Sequence, residues 1–201
     1  MENGSTSNFT LEMAEIKNLL INFWENEFKP VFKEGLITLE SQLQAELYFY
    51  LRKNLMVDSN GNKTDYHIWS KPRIYRVKTK LLNKEPDLVI TKGGYILAII
   101  ELKFSPWAKM NKIDDISKLE LFDINFINEK LEFGSGHFYS NKYDDGIKIE
   151  ACLYEEHLKC FIVFAKAGSK ALKLNTNELC QNFLLLKGHI ENNGSCQIFG
   201  D

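Results

Sequence analysis

Proline and cysteine are both scarce in this chain, at four residues each in 201. The cysteines, at 152, 160, 180 and 196, all fall in the last quarter, and none form a C-x-x-C pair. That spacing supports neither a zinc site nor a disulfide framework, so they read as reduced, mostly buried thiols. The four histidines, 67, 137, 157 and 189, show no His-x-x-x-His spacing. No G-x-G-x-x-G or G-x-S-x-G motif is present, which removes the common dinucleotide-binding and serine-hydrolase signatures. A basic excess is missing too: the formal charge is −2, without the global positive field of a non-specific nucleic-acid binder. No apolar run reaches the about 18 residues of a membrane span, and "MENGSTSNFT" lacks the basic and apolar regions of a signal peptide. The expectation is a soluble, intracellular (cytoplasmic) protein with no membrane partner.

What is present suffices for one core. Hydrophobic residues make up 44% of the chain and charged residues 26%, as in an ordinary globular domain. Residues 1–9 read as a frayed tail and 10–201 as one domain. Helical spacing predicts a helix over 10–28, with Thr10 as N-cap and Pro30 as its stop, and a second over 38–55. Residues 66–78 read as a strand, with Pro72 at an edge or a bulge. Strands follow at 87–91 and 95–104, then a helix after Pro106 with apolar residues at 113, 116, 119 and 122. Residues 133–147 read as a loop and 149–160 as a short helix. The run 160–165 is a buried strand, and 176–186 a helix capped by Thr176. A hairpin turning at Asn193 and Gly194 closes the chain. The fold class is α/β, a central mixed sheet flanked by helices.

Charge at the ends of the central hairpin is the feature to explain. "EPDLVITKGGYILAIIELKF" opens its first strand with Asp87 and closes its second with Glu101 and Lys103. Residues two apart on a strand share a face, so Glu101 and Lys103 project together. Whether Asp87 joins them depends on register. A two-residue Gly93 and Gly94 turn pairs Asp87 with Ile100 and puts Glu101 on the wrong face. A three-residue loop, or a one-residue bulge, returns Asp87 and Glu101 to one face. Two converging carboxylates resist joint ionisation, and a divalent cation relieves this. Oxygen ligands suit Mg2+ or Mn2+, and the adjacent lysine can assist a water or stabilise developing charge. That set suits metal-assisted phosphodiester hydrolysis. Taken alone, Glu-x-Lys at a strand end also fits a solvated surface pair. In the second helix, Leu39, Leu43, Glu46 and Tyr50 form one stripe, so Glu46 shares a leucine face. It is either a third member of the site or a stripe-edge residue reaching water.

Pro86-Asp87, Glu101-Leu102-Lys103 and the upstream Glu46 together resemble the PD-(D/E)XK nuclease superfamily, with its restriction-endonuclease-like αβββαβ core, here over about 38–165. The resemblance implies metal ligation by Asp87 and Glu101 with the Leu102 carbonyl, water activation by Lys103, and support of the metal site by Glu46. It also suggests Lys118, on the following helix, as a contact in the cleft. The implied activity is Mg2+- (or Mn2+-) dependent endonuclease action, on DNA rather than RNA. Cutting two strands is simplest for a homodimer or a larger complex. Candidate nucleic-acid contacts are Lys71, Arg73 and Arg76 in the cation–aromatic stretch 67–78, and Trp107 and Lys109 just beyond the motif. Charge on an edge strand that blocks aggregation gives the same pattern at 67–78. The contrasting expectation is a non-catalytic nucleic-acid- or protein-binding module on the same fold, acting within a larger assembly.

Overall fold

The structure, a computed structural model, describes residues 6–76, 85–108, 110, 116, 119, 130–134, 148–174, 182–190 and 196–200. Helix α1 (Thr6–Asn22) continues through a π-helical segment, Phe23–Phe28, into α2 (Lys29–Lys33). Helix therefore begins before Thr10, and Pro30 does not end it. Pro30 sits in the first turn of α2, where its missing N–H costs least. The chain leaves the helix at Gly35, whose φ of +74° a β-carbon would disfavour. The widened π turn places adjacent Phe23 and Trp24 both in the core. Trp24 stacks on Phe28 at 4.4 Å and donates its indole N–H to the Lys187 carbonyl at 3.1 Å.

Helix α3 (Glu40–Leu55) occupies the expected second-helix region. Gln42 starts it: its Oε1 accepts from the N–H of Leu39 at 3.0 Å and of Thr38 at 2.7 Å. Leu43, Leu47, Leu51 and Leu55 recur every four residues and are all buried.

Among the described residues, eight strands form one mixed sheet: β1 (Tyr66–Ser70), β2 (Arg73–Arg76), β3 (Leu88–Lys92), β4 (Tyr95–Ser105), β5 (Lys130–Gly134), β6 (Lys148–Lys166), β7 (Phe183–Ile190) and β8 (Cys196–Gly200). The main path runs β1-β3-β4-β6-β5-β2, with β7 and β8 continuing from β6. Pairing of β4 with β6 and of β6 with β7 is parallel; the rest is antiparallel. The stretch expected as one strand over 66–78 is cut at Lys71, whose φ is +46°, and Pro72. Its halves pair at opposite ends of the path, so the sheet curls until its ends are two residues apart.

Two expectations of helix are overturned. Residues 149–159 belong to β6: β5 pairs with it over 148–152 and β4 at 152, 153 and from 158 onward, and these ladders override the helical composition. Residues 183–186 open β7, whose apolar run pairs with β6 in parallel. Residues 176–181, including the Thr176 cap, lie outside the described residues, as do the turn at Asn193 and Gly194 and most of 133–147. The closing hairpin itself is present as β7 and β8. Ile116 and Leu119 are helical and buried, and the remainder of that expected helix lies outside the described residues.

The sheet has two packed faces. One carries Leu88, Ile90, Ile100, Leu102, Cys160, Ile162 and Phe164 against α1, the π segment and α3. The other carries Val89, Ile99, Phe161 and Val163 against Ile116, Leu119 and Ala171. Among the described residues, no helix is long and apolar enough to cross a membrane.

Candidate active site

Register decides this site. Gly93 and Gly94 form a two-residue turn with φ of +56° and +79°, and Lys92 pairs with Tyr95. One step on, Thr91 pairs with Ile96 but Ile90 pairs with Ala98, so Leu97 is an extra residue bulged out of β4. The bulge shifts the remaining register by one, giving Val89 with Ile99 and Leu88 with Ile100. Carried one residue further, Asp87 stands opposite Glu101. The short turn alone would have separated them; the bulge reunites them on the face of Val89 and Ile99.

Both carboxylic residues are nearly inaccessible, Asp87 at 7% and Glu101 at 3% exposure. Asp87 Oδ2 accepts the Leu102 N–H at 2.8 Å. Its own carbonyl accepts the Gln44 side-chain N–H at 2.7 Å and the Lys71 backbone N–H at 2.9 Å. Gln44, itself buried, also donates to Ser70 Oγ at 3.2 Å. Asp87 is thus fixed from α3, from the end of β1 and from β4.

β4 outruns its neighbour here. β3 begins at Leu88, opposite Ile100, so β4 from Glu101 to Ser105 has no strand on that side. Side chains take the ladder positions: Asp87 holds the Leu102 N–H, and Glu40 Oε2 accepts the Phe104 N–H at 3.1 Å. A residue in an antiparallel ladder turns its N–H and C=O to the same neighbour. The Leu102 carbonyl therefore points to the open side that Asp87 occupies. Glu40 also stands 3.8 Å from Lys103 Nζ, and both side chains are about one-third exposed. Lys103 follows Glu101 on the same face of β4.

Glu46 is not part of this group. It is exposed and lines a separate cavity of about 210 Å3 with Phe23, Glu27, Phe28, Phe49 and Lys53. The stripe through Leu39 and Glu46 points away because the heavier row, Leu43, Leu47, Leu51 and Leu55, takes the core. Glu40 and Gln44, on the edge of that row, are the α3 residues that reach the site, and the sequence reading missed both. Their signal was the position itself, four apart beside a run of leucines at four-residue spacing.

Lys71 is exposed and adjoins Asp87 through its backbone, and Trp107 is 71% exposed just past the end of β4. Arg73 and Arg76 sit in β2, with side chains outside what the structure describes. Lys109 and Lys118 lie outside the described residues. The segment around Glu155 and Glu156 is strand, not a polar helix face. Among the described residues, no three His, Cys, Asp or Glu side chains converge as a metal-holding group. The acid pair, with one backbone carbonyl, is an all-oxygen donor set. That fits a Mg2+ ion, which keeps several waters and takes one or two carboxylates plus substrate phosphate. Comparison with protein-family models, with curated proteins and with solved structures finds no match.

Proposed function

We propose that this protein is a metal-dependent nuclease of the PD-(D/E)XK, restriction-endonuclease-like type, hydrolysing phosphodiester bonds in nucleic acid, DNA before RNA. One observation carries the reading. Asp87, just before β3, and Glu101 on β4 are both nearly inaccessible to water, the β3–β4 register extended by one residue sets them opposite each other, and Lys103 follows Glu101 on the same face. Burying paired acids is costly, and hydrophobic residues would pack there more cheaply. Their presence beside an open strand edge is explained by a cation and a substrate phosphate that bind there.

In this reading Asp87 and Glu101 hold Mg2+ or Mn2+, with the Leu102 carbonyl as a further ligand. A bound divalent cation supplies Lewis acidity at the phosphoryl oxygen and acidifies a water. Lys103 orients that water or stabilises the charge developing on the phosphate. Glu40 takes the role first given to Glu46: its carboxylate sets the position of Lys103 and caps the strand that carries the site. Gln44 and Lys71 N–H hold Asp87 by its carbonyl, and the Leu102 N–H holds one of its carboxylate oxygens. With a net charge of −2, attraction to nucleic acid comes from local cations such as Lys71 and Lys103.

The test is incubation with supercoiled plasmid, single-stranded DNA and RNA, in Mg2+, Mn2+ or EDTA, with Lys103→Ala as control. Metal-dependent cleavage that vanishes in the variant supports the reading and identifies the substrate. A folded protein that cuts nothing, and whose ligand binding ignores Lys103→Ala, is instead a binding module on this framework.

A further inference from the structure

Three tryptophans occur in the chain, and they are used differently. Trp24 is fully buried and donates to the Lys187 carbonyl. Trp69 is half-buried and donates to Thr91 Oγ1 at 3.1 Å. Trp107 is 71% exposed. It rides on the turn that ends β4, closed by the Ala108 N–H on the Ser105 carbonyl at 3.4 Å. Pro106, just before it, is buried and anchors that turn. A large rigid aromatic held out in water by an anchored turn is a surface built for contact.

Its place gives the contact chemistry. Trp107 is four residues beyond Lys103, at the end of the strand whose open edge carries Asp87 and Glu40 as caps. Across Asp87 from β4, just past the end of β1, stands Lys71, its backbone N–H on the Asp87 carbonyl and its side chain exposed. Leu39, 59% exposed, precedes Glu40, which holds the Phe104 N–H near this end of β4. The open edge thus runs from a cation, past the acid pair, to an apolar aromatic rim. A duplex presents phosphates and sugars along its outside and hides its base faces; an indole face and a leucine gain little from it. An unpaired strand offers bare base faces, and stacking on an aromatic is tolerant of sequence.

We infer that the substrate is single-stranded at the point of attack, a free strand, flap or frayed end, and that Trp107 stacks a base beside the scissile phosphate. The inference rests on the nuclease reading of the same site and names its substrate class. Trp107 is here a specificity-determining residue.

The experiment measures binding apart from cleavage. A labelled 12-residue single-stranded oligonucleotide and its blunt duplex are titrated in EDTA by fluorescence anisotropy with wild-type protein, Trp107→Ala, Trp107→Phe and Phe49→Ala. Phe49 is an exposed aromatic on the far side of α3, 62% accessible, and controls for general stickiness. Circular dichroism melting confirms that each variant is folded. Expected are tighter binding of the single strand than of the duplex, about tenfold loss in Trp107→Ala, and near-wild-type binding in Trp107→Phe and Phe49→Ala. Oligonucleotide quenching of the exposed tryptophan fluorescence should vanish in Trp107→Ala. Equal affinity of Trp107→Ala and wild type for the single strand, or tighter binding of the duplex, overturns the inference and leaves the nuclease reading intact. Trp107-dependent binding without metal-dependent cleavage of any substrate would instead refute catalysis at the site and retain the single-strand contact.

Discussion

Glu40 and Lys103 face each other at 3.8 Å across the start of α3 and the end of β4, and the Glu40 carboxylate also holds the Phe104 N–H. Helix and strand are thereby joined at the point where the sheet opens. Glu40→Ala should lower metal-dependent cleavage by about 100-fold, the scale of losing an acid–base positioning group. Glu46→Ala should leave the rate unchanged. Single-turnover cleavage of the same substrate separates the two, and equal rates in both variants would return the helix carboxylate's role to open ground.

Asp87 has a structural duty as well as a chemical one. Asp87→Ala leaves the buried Leu102 N–H without its acceptor, a cost of about 1–3 kcal/mol. Asp87→Asn keeps an acceptor and removes one of two opposed charges, so its melting temperature in EDTA should equal or exceed that of wild type. Mg2+ at about 100 times its Kd should stabilise the wild type by about 2.7 kcal/mol and leave Asp87→Asn unmoved. Thermal melts with and without Mg2+ check all three.

The core beneath the site is packed without slack at Gly188. A β-carbon there would stand 2.6 Å from Phe164 Cδ2 and 3.1 Å from the Gln197 carbonyl. Phe164 cannot yield easily, since it is fully buried and stacked on Phe104. Gly188→Ala should therefore destabilise by about 1–3 kcal/mol, read by urea unfolding, with an unchanged m-value.

Asp58 organises the loop between α3 and β1. Its Oδ1 accepts the N–H groups of Asn60 and Asn62, each at 2.8 Å. Hydrogen bonds from Asn62, backbone first and then side chain, hold its pKa below 3.8 despite full exposure. A lowered folded-state pKa stabilises above the unfolded value and loses that contribution as pH falls through the folded one. Protection of the Asn60 and Asn62 amides, measured against their intrinsic exchange at each pH, should therefore be greatest at neutral pH and fall as the pH drops below about 4. Asp58→Ala should lack that protection at both.

Much of this was legible in the sequence, for definite reasons. The leucine row of α3, the Gly93 and Gly94 turn and the run 160–165 each carry a period or a turn signal that nothing else contradicts. The pairing of Asp87 with Glu101 was legible only as a condition, because a single bulged leucine sets the parity and Leu97 looks like its neighbours. Residues 149–159 failed because pairing with β5 at one end and β4 at the other decided what composition did not. Pro30 misled because a π turn placed it where it is harmless. Glu40 was missed because two stripes run along α3, and only packing tells which faces inward.

The two residues joining β1 to β2 bear on how the molecule comes together. Asp87 and Leu102 are only 15 positions apart in the chain, within one hairpin. β1 and β2 are neighbours in sequence, yet β2 finds its partner in β5, far along the chain, after β4 and β6 have aligned in parallel. Local pairs form in microseconds, whereas distant parallel pairings are slow. The acid pair and the Lys71 N–H bond to Asp87, which continues the β1–β3 ladder, should therefore form early in folding, and the pairing of β2 with β5 that closes the curl should come late. Refolding followed by amide protection would then show the β3 and β4 amides protected before those of β2 and β5.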